Sequence, residues 1–172
     1  MNGSVRTTEN PDAVPRVFCV RADGGRYAEH VVSGGYVAVG YEPIKRDLSF
    51  LRSKEELYPI MREAFPDVTS SLVIGNYVGQ LYRFVCEIKP GDFVITPAAD
   101  SEWLFYGAVE GSPSYYYAQE EDGCPYRHRR RVTWAVTRLR RSAFSVPFQN
   151  MLRAMLTVFE ISRAEEFFEM IG

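Results

Sequence analysis

Eight arginines and no acidic residue lie between Gly123 and Phe159: Arg127, Arg129, Arg130, Arg131, Arg138, Arg140, Arg141 and Arg153. The rest of the chain carries twelve basic and twenty-two acidic residues, about −10, so the net charge of −2 conceals a segregated positive field. The run contains no lysine. A guanidinium grips phosphate through two parallel hydrogen bonds, which an ammonium does not do. The chemistry this suggests is phosphate recognition, with Arg127, Arg129, Arg130 and Arg131 as the phosphate ligands. The competing reading is an arginine-rich strand and loop that merely face solvent.

Aromatic residues make up 14% of the chain, with eleven Tyr and eleven Phe. A base turned out of a helix needs an aromatic wall, a polar group that reads its edge and cations for the flanking phosphates. Tyr41 follows a strand and a glycine, so its ring can project from a sheet end. Trp103, Tyr115, Tyr117 and Trp134 lie on or beside later strands, and Asn76 and Gln80 share a helical face four residues apart. Each has a structural alternative. Trp134, Tyr82 and Phe84 can serve as core, and Gln80 and Arg83 can bond buried backbone groups.

Catalytic constellations are not apparent. The two histidines are His30 and His128, and no HExxH, P-loop, GxGxxG or GxSxG pattern occurs. Asp100 and Glu102 are spaced like a nuclease's acidic pair, but Trp103 and Leu104 follow where a lysine would be needed, so a solvated turn is expected. His30, beside Glu29 on a short helix, reads as structural. Three cysteines, an odd number without metal-ligand spacing, argue against a disulfide framework and fit a reducing cytoplasm. Cys19 and Cys86 sit in apolar segments and read as buried thiols, whereas Cys124 lies in a polar loop. The expectation is a chain that is not an enzyme, with no metal or cofactor. No stretch reads as a signal peptide or a membrane span.

The elements that must position these residues follow from periodicity. The chain's 172 residues suit one domain over 16–172 after a polar leader at 1–15. Strands are expected at Val17–Arg21 and Tyr36–Tyr41, with one or two helical turns at Arg26–Val32 between them. Ser53 caps a helix that Pro66 ends, and Thr69 caps another that runs toward Ile88 with Val73, Tyr77, Leu81, Phe84 and Ile88 on its apolar face. After Pro90-Gly91-Asp92 the period changes to strands at Phe93–Thr96, Trp103–Glu110, Tyr115–Ala118 and Arg131–Leu139, with a polar loop at 119–127. A short helix at Met151–Met155, a strand at Thr157–Ile161 and a final helix capped by Ser162 close the chain. This is an α+β fold with a curved, partly closed mixed sheet flanked by helices.

Two blocks carry a family resemblance. They are NYVGQLYRFVCEIKPGDFVITP, from Asn76 to Pro97, and Gly107 to Trp134 with its Tyr115-x-Tyr117 and HRRRVTW. With the opening VFCVRADGGRYAEHVVSGGYVAVGY and the late LTVFEI, they resemble the EVE-like domains of the PUA superfamily over roughly residues 16–161. Such domains stand at the N-termini of modification-dependent restriction proteins of the McrB and Mrr kind. The resemblance implies a barrel-like sheet and a pocket for a flipped, often methylated base. It implies DNA as partner, and a fused or separate nuclease or NTPase as effector. Tyr41 stands where that family often has tryptophan, which alters pocket size and polarity. Phosphate and stacking chemistry serve RNA equally, so an RNA-binding PUA-like module and a sensor of a free nucleotide are the alternatives.

Overall fold

The computed structural model describes residues 14–21, 23–120 and 122–172; most of the expected leader lies outside them. The described residues form eight strands: β1 (Val17–Val20), β2 (Tyr36–Val39), β3 (Phe93–Pro97), β4 (Trp103–Val109), β5 (Tyr115–Tyr117), β6 (His128–Trp134), β7 (Leu139–Arg140) and β8 (Val158–Glu160). Five α-helices accompany them: α1 (Ala28–Gly34), α2 (Leu57–Ala64), α3 (Ser71–Tyr82), α4 (Val146–Met151) and α5 (Ala164–Ile171). The strand order is β2-β6-β4-β3-β1-β8, with β5 added to β6 and β7 to β4. Only β1 and β3 pair in parallel, and the mixed sheet curls into a half-barrel flanked by helices.

The central strands are buried on both faces, which is why they read as unbroken apolar runs. Phe18 and Val20 of β1 face the larger core, with Val94, Ile74, Leu81 and Phe84. Val17 and Cys19 face a second core with Ile95, Phe148 and Phe167. Helices α2 and α3 cover the first face, and α4 and α5 the second. At the β4–β6 crossing a Cβ on Gly107 would lie 2.6 Å from the Thr133 carbonyl oxygen, so only glycine lets these strands approach.

Local signals explain most boundaries. Ser53 and Glu56 form a capping box ahead of α2. Ser70, not Thr69, caps α3 by accepting from the Val73 amide. Of the expected apolar face Leu81, Phe84 and Ile88 are buried, but early in α3 the buried residues are Ile74 and Val78, one position on from Val73 and Tyr77, and Val73 is exposed. The helical path continues through a π turn at Arg83–Glu87. Around Ser145 the chain differs from expectation. This serine caps α4, which ends at Met151 instead of starting there. Helix α5 begins at Ala164 without a side-chain cap, and Ser162 contacts the Met151 sulfur.

The most consequential difference concerns β6. It begins at His128, three residues before the expected start, and ends at Trp134. Register with β2 (Tyr36↔Arg131 to Val39↔His128) and with β5 draws the HRR segment into the sheet.

Candidate functional site

A strand puts successive side chains on opposite faces. His128, Arg130 and Val132 therefore point into the half-barrel, and Arg129 and Arg131 point away. What reads in sequence as one cationic run is split between two environments. Arg130 is 4% exposed and donates to the carbonyls of Phe84 and Val85 and to Ser114 Oγ. Arg129 is 3% exposed and makes a bidentate pair with Asp122, at 2.9 and 2.8 Å, with its guanidinium 4.0 Å from the Tyr36 ring centroid. That pairing holds the Asp122 carboxyl down at about 2. Arg129 and Arg130 are thus internal braces and not the phosphate ligands expected from their sequence. Arg131 is exposed over the Tyr116 ring, and Arg127 is half-buried at a cavity.

That cavity, of about 350 Å³, is lined by Gly40, Glu42, Ile44, Lys45, Tyr117, Pro125, Arg127 and His128. It lies where the ends of β2 and β5 meet the start of β6. Its volume falls at the lower end of the roughly 300–1,000 Å³ typical of small-molecule sites. His128, 1% exposed, forms the floor. Its Nε2 lies 2.8 Å from the Ile44 carbonyl, which can only accept, so Nε2 carries the proton. Nδ1 is then the acceptor for the Tyr115 hydroxyl at 2.9 Å, and that hydroxyl accepts from the Leu48 amide at 3.2 Å. Burial pushes the His128 pKa below its ordinary value, which keeps the ring neutral, and burial raises the Tyr115 hydroxyl. This chain of bonds fastens the 40–48 loop, which supplies Glu42, Ile44 and Lys45, to the sheet. The Tyr117 ring sits 5.0 Å from the His128 ring, tilted at 47°, and forms a half-buried aromatic wall.

Of the aromatic and amide residues expected to form one base pocket, Tyr117 lines this cavity and Tyr115 stands behind its floor. The others do not join them. Tyr41 has φ of 54°, an uncommon conformation for a bulky residue. Its neighbours Gly40 and Glu42 line the cavity, whereas its ring packs on the larger core, edge-on to Tyr77 at 6.3 Å. Burial raises its hydroxyl pKa. Trp134 donates from Nε1 to the carbonyls of Val31 and Tyr36, fixing α1 to β2. Gln80 is buried; its Oε1 accepts from the Thr157 and Val158 amides, and its Nε2 donates to exposed Asn76. Trp103 lies at the far end of the sheet, its ring in contact with the guanidiniums of Arg138 at 5.3 Å and Arg140 at 4.7 Å. Six residues of β4 and four of β6 separate it from His128, about 30 Å along the strands at ~3.3 Å per residue.

Glu42, Ile44, Lys45, Pro125 and His128 were not expected at a site. Their signal was faint: the β2 run ends at Gly40, and His128 opens an alternation His-x-Arg-x-Val-x-Trp. The remaining chemistry-bearing residues have structural partners. Asp100 accepts from the Glu102 amide and Glu102 pairs with Arg140, as in a turn. His30 is exposed on α1. The cysteines are free, and Cys124 is fully buried because its loop folds over Val31, Tyr36 and Ala38; Cys86 is half-buried. Among the described residues no three His, Cys, Asp or Glu side chains are grouped to hold a metal, and no helix is long and apolar enough to cross a membrane.

A family model for a domain of unknown function matches residues 20–162. No curated protein matches this sequence.

Proposed function

The chain belongs to the DUF8426 family, and we propose that it is a nucleic-acid reader that accepts a modified base, flipped from DNA, in the Tyr117–His128 cavity. The observation that carries this reading is a prebuilt concavity joining an aromatic wall to groups of both charges. Tyr117 stacks on the base. Glu42 accepts hydrogen bonds from its edge, and Lys45 and Arg127 face the adjoining phosphates. Extrusion of a base costs a few kcal/mol, and stacking on one ring returns roughly 1–3 kcal/mol. Phosphate contacts do not see the base, so discrimination resides in the cavity. The resemblance to EVE-like domains supports the same assignment. On that reading the domain directs a restriction or defence effector on another domain or subunit, and itself performs no catalysis.

The test is a binding screen of duplexes carrying different modified bases against unmodified DNA, RNA and free nucleotides at several salt concentrations. Tyr117→Ala should reduce the preference for the modified duplex about 5- to 150-fold, the equivalent of ~1–3 kcal/mol of stacking. It should leave a salt-dependent background. Equal losses on modified and unmodified DNA would refute the assignment. Tighter binding to structured RNA would indicate the RNA module, and salt-insensitive binding of a mononucleotide the sensor.

A further inference from the structure

Arg21, Arg141 and Arg153 gather at the end of α4, on the side of the sheet opposite the cavity. β1 runs into Arg21, whose amide donates to the Thr157 carbonyl at 2.9 Å. The Arg21 Nη2 donates to the carbonyl of Leu152, and the Arg141 Nη2 donates to that of Gln149 at 2.9 Å. Arg153 follows directly and is exposed. Strand register fixes the separation from the cavity. Val17 aligns through Phe93 and Ala108 with Thr133, so Arg21 lies four residues beyond that level and His128 five residues short of it.

Three cations in one place need an explanation. Among the described residues none of the three has an ion-pair partner. The helix-end carbonyls occupy one donor on each of two guanidiniums, and a guanidinium has five. The Arg21 Nε is buried without a hydrogen-bond partner. Burial lowers the Arg141 pKa, and the charges of Arg153 and Arg21 lower it further. The Cys19 thiol beside Arg21 does not neutralise them, because burial pushes it up to about 11. Like charges gathered and partly desolvated repel unless an anion stands between them.

We propose that Arg21, Arg141 and Arg153 form a binding site for a phosphoryl oxyanion, separate from the base cavity. Tetrahedral phosphate matches the site, since its oxygens accept forked hydrogen bonds from several guanidiniums at once. The phosphate can come from a free phosphate or nucleotide or from a nucleic-acid backbone. Arg138 at the same end of the sheet extends the positive field in the manner of a backbone track, whereas Arg140 beside it is paired with Glu102.

The experiment measures the thermal midpoint of the full chain in sodium phosphate against sodium chloride at matched ionic strength, with ³¹P line broadening as a second readout. The wild type should be stabilised and should broaden the phosphate signal. Arg153→Glu places a carboxylate where the anion would sit, at an exposed position that the fold does not need. It should raise the midpoint in chloride and abolish the response to phosphate. Tyr117→Ala should keep the phosphate response, so failure here is distinguishable from failure of the base-reader assignment. Parallel titrations with a mononucleotide and a single-stranded oligonucleotide identify the source. For a backbone phosphate, Arg153→Gln should lower the oligonucleotide salt slope by about 0.7. For a free phosphate, the response appears with inorganic phosphate or mononucleotide and not with the oligonucleotide. A wild type indifferent to all three anions, or an equal response in Arg153→Glu, would overturn the proposal.

Discussion

Replacing Arg130 with alanine separates a structural arginine from a ligand-binding one. The guanidinium is 4% exposed and faces two backbone carbonyls and a serine hydroxyl, with no carboxylate bonded to it. Burial pulls its pKa down to about 10, so it remains charged at neutral pH. Truncation strands the carbonyls of Phe84 and Val85 inside the half-barrel, each at about 1–3 kcal/mol, and opens a void. Relief of the buried charge offsets part of this, as in other broken buried polar clusters, leaving about 3–5 kcal/mol. For a domain of this length that corresponds to a thermal midpoint lower by roughly 6–20 °C. Circular dichroism melts with urea titration measure it. Well below the midpoint, the variant's nucleic-acid affinity and salt slope should match those of the wild type. A midpoint lowered by less than about 3 °C, together with a salt slope reduced by about one, would show that Arg130 touches phosphate and would refute its role as a brace.

Two further predictions concern pH. His128 has a folded pKa below its unfolded value of 6.5, so the unfolded chain takes the proton first as pH falls. Its contribution is intact above about pH 6.5 and diminishes below it; melts between about pH 7.5 and 5 should show a falling midpoint, and His128→Gln should flatten that slope. Asp122 is held at about 2 by Arg129, so its contribution is present above 3.8 and is lost as pH falls through about 2. Because Asp122 is 51% exposed, the expected cost of Asp122→Asn at neutral pH is only about 1 kcal/mol, and the variant should lose the acid-limb dependence; an unchanged acid limb would refute the pairing.

The sequence was most legible where local chemistry and tertiary burial agree. VFCV and YVAV read as strands because both faces are covered, and Ser53 with Glu56 marks a helix start without any partner. It was least legible where a polar segment is buried. HRRRVTW has three adjacent guanidiniums, which by composition belong in solvent. Only the flanking strands β2 and β5, about ninety and just over ten residues upstream, turn them into an alternating strand. Placing the strand start at Arg131 left Arg129 and Arg130 in a loop and so made them look like ligands. Gln80 is similar: its amide answers backbone groups of β8, nearly eighty residues away, a demand that no local pattern displays. Tyr41 departs from expectation for another reason. Strand alternation predicts where a ring points only while the backbone stays extended, and its positive φ ends that alternation.

The same long-range bonds bear on how the cavity works. Its loop, residues 40–48, has no regular secondary structure and contributes Glu42 and Lys45, both exposed. Such a loop would ordinarily lose conformational freedom on binding and so weaken the interaction. Here the Ile44 carbonyl and the Leu48 amide are tied to His128 and Tyr115, both inside the sheet. Ile44 and Leu48 are themselves anchored in the larger core. The ordering cost is therefore met on folding, and under the proposed function an incoming base would meet a wall and floor already in place. Selectivity then depends on shape and hydrogen bonding against fixed groups, so replacing the floor should alter which base is preferred, whereas replacing an exposed rim cation should weaken all duplexes alike.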